Sequence, residues 1–66
     1  MRVYINGEAE ELPESSTVST LLERLELAGR RIAVECNGEI VPRSLHGDRL
    51  LRPDDRIEIV HAIGGG

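Results

Sequence analysis

The groups able to do chemistry are few and scattered. One cysteine, Cys36, and two histidines, His46 and His61, make up the nucleophilic and imidazole inventory. A catalytic pair would need Cys36 and a histidine to meet in a pocket, and a metal site would need several such ligands at close spacing. Neither pattern is present, so no catalytic residue and no metal ligand is assigned. Cys36 lies in an alternating run and reads as an ordinary strand thiol. His46 lies in a polar segment and reads as a surface loop residue. The glycines are isolated turn residues except for the last three, Gly64, Gly65 and Gly66, so no glycine-rich phosphate loop occurs.

Those three glycines offer a different chemistry. A frayed end is the common explanation for such a run, yet here it follows directly on a strand pattern. Glycine lacks Cβ, so Gly64 and Gly65 could thread a slot too narrow for any other residue. Gly66 then supplies an unhindered α-carboxylate. A carboxylate resists nucleophiles until one oxygen becomes a leaving group, and adenylation by ATP does that. A separate enzyme must bring the machinery, so the chain is expected to be a carrier or substrate and not an enzyme. Just ahead of the tail, Val60 and Ala62 alternate with Ile57 and Ile59 and suggest an exposed apolar patch; with His61 they are the candidate docking residues.

The elements that must position this tail are legible in the pattern. Met1, Val3 and Ile5 alternate with Arg2 and Tyr4, which predicts a half-buried strand. Asn6-Gly7 predicts a type I′ turn into a returning strand, Glu8 to Leu12, ended by Pro13. Val18, Leu21, Leu22 and Leu25 fall on one helical stripe, with Thr17 as N-cap. Gly29 is the expected left-handed stop, with Arg30 and Arg31 at the negative end of the helix dipole. Ile32 to Cys36 predicts a third strand, turned by Asn37-Gly38 into Glu39 to Val41. Arg43 to Arg52 is polar and irregular, with Leu45, Leu50 and Leu51 expected to plug the open end of the core. Pro53-Asp54-Asp55 predicts a turn into a final strand, Arg56 to Ile63.

Two hairpins around one helix leave the final strand a single economical place, between the hairpins and beside the first strand. The fold class is therefore α+β: a ubiquitin-like β-grasp with a mixed sheet of four to five strands and one helix across one face. Residues 1–63 form that domain and residues 64–66 a flexible glycine tail.

Size and charge narrow the function further. Sixty-six residues, 39% of them apolar, make one thin-cored domain with no room for a deep cleft. Twelve acids against eight bases give a formal charge of −4, which argues against a nucleic-acid partner. The acids Glu8, Glu10, Glu11 and Glu14 read as a solubilising group, and Arg43, Arg49, Arg52 and Arg56 as solvated charges able to rim the patch. Apolar runs are too short to span a membrane, and no signal-peptide pattern opens the chain. A lone cysteine in so small a chain favours the cytoplasm. A monomer is expected when the chain is free.

Asn37-Gly38-Glu39-Ile40-Val41-Pro42-Arg43, the Thr17-Val18 opening of the helix and the ending Glu58-Ile59-Val60-His61-Ala62-Ile63-Gly64-Gly65-Gly66 together resemble the ThiS family, sulfur carriers of thiamine biosynthesis. The resemblance covers essentially the whole chain. Arg52-Pro53-Asp54-Asp55 departs from the family's Lys-Asp-Gly-Asp-like turn, which changes the turn type and touches no functional residue. The resemblance implies that Gly66 is adenylated by a ThiF-like enzyme using Mg-ATP and converted to a thiocarboxylate. The sulfur comes from a cysteine desulfurase, and a ThiG-like thiazole synthase consumes it. Gly65 and Gly66 match the family's diglycine. The carrier itself would hold no cofactor. Two alternatives stand beside this reading: a MoaD-like subunit of molybdopterin synthase, and a ubiquitin-like modifier or interaction module.

Overall fold

The structure, a computed structural model, describes residues 1–61. Strand β1 (Arg2–Ile5) pairs antiparallel with β2 (Glu8–Glu11), and β3 (Ile32–Cys36) with β4 (Glu39–Val41). Both Asn-Gly turns are of type I′, with positive φ at Asn6, Gly7, Asn37 and Gly38. The last strand, β5 (Arg56–His61), lies between the hairpins, parallel to β1 and antiparallel to β3. The sheet order is β2-β1-β5-β3-β4, the expected β-grasp with five strands.

Helix α1 (Val18–Arg24) covers one face and buries Val18, Leu21 and Leu22. Thr17 caps it through a capping box with Thr20, whose N–H reaches the Thr17 hydroxyl at 3.2 Å. The other first-turn donors are met by the link before β5. Val18 N–H donates to the Arg49 carbonyl at 3.1 Å and Ser19 N–H to that of His46 at 2.9 Å. Against this face lie the inward residues of the strands: Val3 and Ile5, Val34 and Cys36, Ile57 and Ile59.

Four expectations need correction. The helix ends a turn early: Leu25 is the C-cap and is 37% exposed, so it does not complete the buried stripe. The left-handed residue is Glu26 (φ 60), not Gly29. Leu27 N–H bonds to the Leu22 carbonyl at 2.7 Å and Glu26 N–H to that of Glu23 at 3.0 Å, which is a Schellman motif. It folds Leu27 back onto the core in place of Leu25. Gly29 also has a positive φ, but in the following loop.

In the link, Leu51 is buried while Leu45 and Leu50 face solvent. His46 takes the plugging role instead. A 3-10 turn at Arg43–Leu45 carries its ring inward, where it is buried and its Nε2 lies 3.0 Å from the Val41 carbonyl oxygen. A carbonyl only accepts, so Nε2 carries the proton.

Candidate functional site

The expected chemistry sits at the end of β5. Ala62, Ile63, Gly64, Gly65 and Gly66 lie outside the described residues, so the structure bears on the strand they leave and on its surroundings. β5 is central, with β3 paired along it from Cys36↔Ile57 to Ile32↔His61 and β1 along its first half.

Both hairpin asparagines reach this strand. Asn6 accepts from Ile59 N–H through Oδ1 at 2.8 Å and donates from Nδ2 to the Ile59 carbonyl at 3.3 Å. Asn37 accepts from Arg56 N–H at 2.9 Å and donates to the Asp55 carboxylate at 3.0 Å. Asp55, itself buried, also accepts from Arg52 N–H at 2.8 Å and so closes the turn into β5. The sequence showed these asparagines as turn formers alone. The signal for more was asparagine where glycine or aspartate would also satisfy the turn, since a primary amide carries a donor and an acceptor together.

The sheet face away from α1 is open. Alternation along β5 puts Arg56, Glu58 and Val60 there, and Val60 is 57% exposed. Ala33 stands opposite Val60, and Ile40, 62% exposed, stands opposite Glu35. Tyr4 lies beside Arg56, whose guanidinium is 5.6 Å from the ring centroid. Glu35 and Glu58 oppose each other across β3 and β5. The face thus carries an apolar pair, Val60 and Ala33, next to a row in which Ile40 stands beside the carboxylates Glu35 and Glu58.

The three expected docking residues do not share this face. His61 is in phase with Ile57 and Ile59 and falls on the helix side of the sheet, though exposed, and Ala62 is outside the described residues. The rim arginines also separate. Arg56 is on the open face. Arg43 donates to the Arg30 carbonyl at 3.0 Å beside a hollow of about 220 Å³ lined by Ser19, Leu22, Leu27, Ile32 and His46. Arg49 and Arg52 line a second hollow with Asn37, Asp48 and Asp55. Cys36 is fully buried, and burial pushes its thiol up, with the Asp55 carboxylate adding to the effect. Among the described residues no group of three or more His, Cys, Asp or Glu is placed to hold a metal ion, and no helix is long and apolar enough to cross a membrane.

A helix-covered five-stranded sheet whose central strand leads into a glycine run defines a ubiquitin-like β-grasp protein. Comparison with known proteins makes this specific. The ThiS family model matches residues 3–66. The chain is 30% identical to the sulfur carrier protein ThiS of Escherichia coli over 66 residues, all of both chains. The crystal structure of the thiamine biosynthesis protein ThiS from Geobacter metallireducens superposes with a TM-score of 0.87 at 30% identity, covering 100% of each chain. The chain is also 41% identical over its full 66 residues to a thiazole synthase of Magnetococcus marinus, of which it spans only 20%. The chain belongs to the ThiS family, the sulfur-carrier family of thiamine biosynthesis.

Proposed function

We propose that the chain carries sulfur as a thiocarboxylate on Gly66 and delivers it to a thiazole synthase. The observation that carries this reading is the central, doubly flanked β5, which gives the glycine run a rigid origin. The chemistry follows from the carboxylate. Its oxygen attacks the α-phosphate of Mg-ATP in a ThiF-like enzyme, releasing pyrophosphate and leaving an acyl-adenylate. The outer sulfur of a cysteine desulfurase persulfide displaces AMP, and a thiol cleaves the resulting acyl disulfide to the thiocarboxylate. Nothing in these steps calls on a side chain of the carrier, which acts as substrate and holds no cofactor of its own. The sequence shared with a thiazole synthase supports such an enzyme as the recipient. Val60 and Ala33, with Ile40 across Glu35, supply the docking face for these partners, with Ala62 and His61 flanking the threaded Gly64-Gly65. The reaction belongs in the cytoplasm, where ATP and persulfide are supplied.

Intact-mass spectrometry of the protein from cells making thiamine tests this directly. One carboxylate oxygen replaced by sulfur, localised to Gly66, is the expected product. Adducts to other polypeptides would instead identify a protein modifier, and a mature chain continuing past Gly66 would remove the reacting group altogether. Gly65→Trp is expected to abolish adenylation without lowering the melting temperature.

A further inference from the structure

The β1–β5 ladder is short. It contains the pairs Tyr4↔Arg56 and Ile5↔Ile57, and its last backbone bond runs from Asn6 N–H to the Ile57 carbonyl at 2.8 Å. There β1 turns away, because Asn6 at φ 50 begins the hairpin to β2. β5 continues to His61 with β3 on its other flank. Asn6 fills the gap with its side chain, contacting both the N–H and the carbonyl of Ile59 at 2.8 and 3.3 Å. Its amide thereby stands in for the peptide group that β1 no longer supplies. His61, whose backbone groups face the same flank by alternation, has no partner strand there among the described residues.

We propose that Asn6 is a positioning residue for the tail chemistry: its amide pins the outgoing half of β5 at Ile59 and so fixes the direction in which the chain leaves toward Gly66. The proposal rests on the carrier reading above. Without that amide, β5 beyond Ile57 is held from the β3 side alone, and its end samples a wider cone of directions. A partner must then order the strand as it binds, which weakens association. Once seated, the reacting carboxylate is where it was, and the rate of adenylation is unaffected. Turn propensity does not account for the residue, since glycine satisfies the same positive φ.

Asn37 provides the internal comparison. It begins the other type I′ turn at φ 53 and clamps the incoming end of β5 at Arg56. Asn6→Gly and Asn37→Gly each keep the turn and delete the clamp, one near the tail and one far from it.

The test measures ATP–pyrophosphate exchange by the ThiF-like enzyme of the same cells against carrier concentration, with melting temperature and Ile59 amide exchange followed in parallel. In Asn6→Gly the KM for the carrier is expected to rise about tenfold, the equivalent of one good hydrogen bond, with kcat within about twofold of wild type. Ile59 should exchange faster. Asn37→Gly should melt lower to a similar extent yet keep its KM within about twofold, because it acts on stability alone. A wild-type KM in Asn6→Gly, or an equal rise in Asn37→Gly, overturns the proposal while leaving the carrier reading intact. Failure of the wild-type chain to be adenylated overturns both. Asn6→Asp guards against a variant that does not fold: it keeps the acceptor for Ile59 N–H and should give an intermediate KM. A wild-type KM there together with fast Ile59 exchange would separate the clamp from the chemistry and sink the idea.

Discussion

At the scale of single residues, Cys36 illustrates how burial sets chemistry. The thiol's ordinary value is 9.0, and it is raised in the fold by burial first and by Asp55 second, with Arg49 opposing. The folded chain therefore holds this proton more tightly than the unfolded chain. The stabilisation is fully present below pH 9.0 and is lost as pH rises through the folded value. Urea midpoints measured from pH 8 to pH 10.5 should consequently fall more steeply for wild type than for Cys36→Ala; parallel curves would contradict the burial argument. The same variant should still accept sulfur at the tail, since the thiol faces α1 and not the strand end. Cys36 was legible in the sequence because strand alternation dictates its face. His46 was not: a histidine in a polar stretch looks solvated, and the 3-10 turn that carries its ring under Val41 leaves no periodic trace.

Among the elements, those with a strict period were readable and those that end on a packing decision were not. The strands and both I′ turns follow directly from alternation and Asn-Gly pairs. The end of α1 does not, because Gly29 is the better left-handed residue and the chain turns at Glu26 all the same. Packing of Leu27 against the core outweighs the strain of a non-glycine residue at positive φ. That strain is open to measurement. Glu26 is exposed, so Glu26→Gly removes it with little else, and should raise stability by up to about 1 kcal/mol. In a domain this small that corresponds to a gain of roughly 4–8 °C in melting temperature. A lower melting point would mean that glycine's extra freedom in the unfolded chain outweighs the relief. Edge strand β2, Glu8-Ala9-Glu10-Glu11, is exposed throughout, and its carboxylates guard the sheet against edge-to-edge pairing.

For the molecule as a whole, the sheet's two faces divide the labour. One is sealed by α1 and gives stability; the other keeps Val60 and Ile40 in solvent, with Ala33 half-buried beside Val60. Val60→Glu should leave the melting temperature nearly unchanged, since an exposed substitution shifts stability by about 0.5 kcal/mol or less. It should nonetheless raise the KM for adenylation several-fold by placing a third carboxylate beside Glu35 and Glu58; an unchanged KM would exclude this face as the contact. The sequence revealed the tail, the strand behind it and the open face, because each is written in composition or period. It hid the Asn6 clamp, because that contact joins residues far apart in the chain and only the closed sheet brings them together. The same long-range closure has a consequence for biosynthesis. β5 emerges from the ribosome after every strand it must join, yet it occupies the middle of the sheet. A nascent or truncated chain lacking it has two hairpins and no seam between them. Synthesis of β5 thus becomes a checkpoint, and an activating enzyme that recognises the closed sheet would never engage a copy without it.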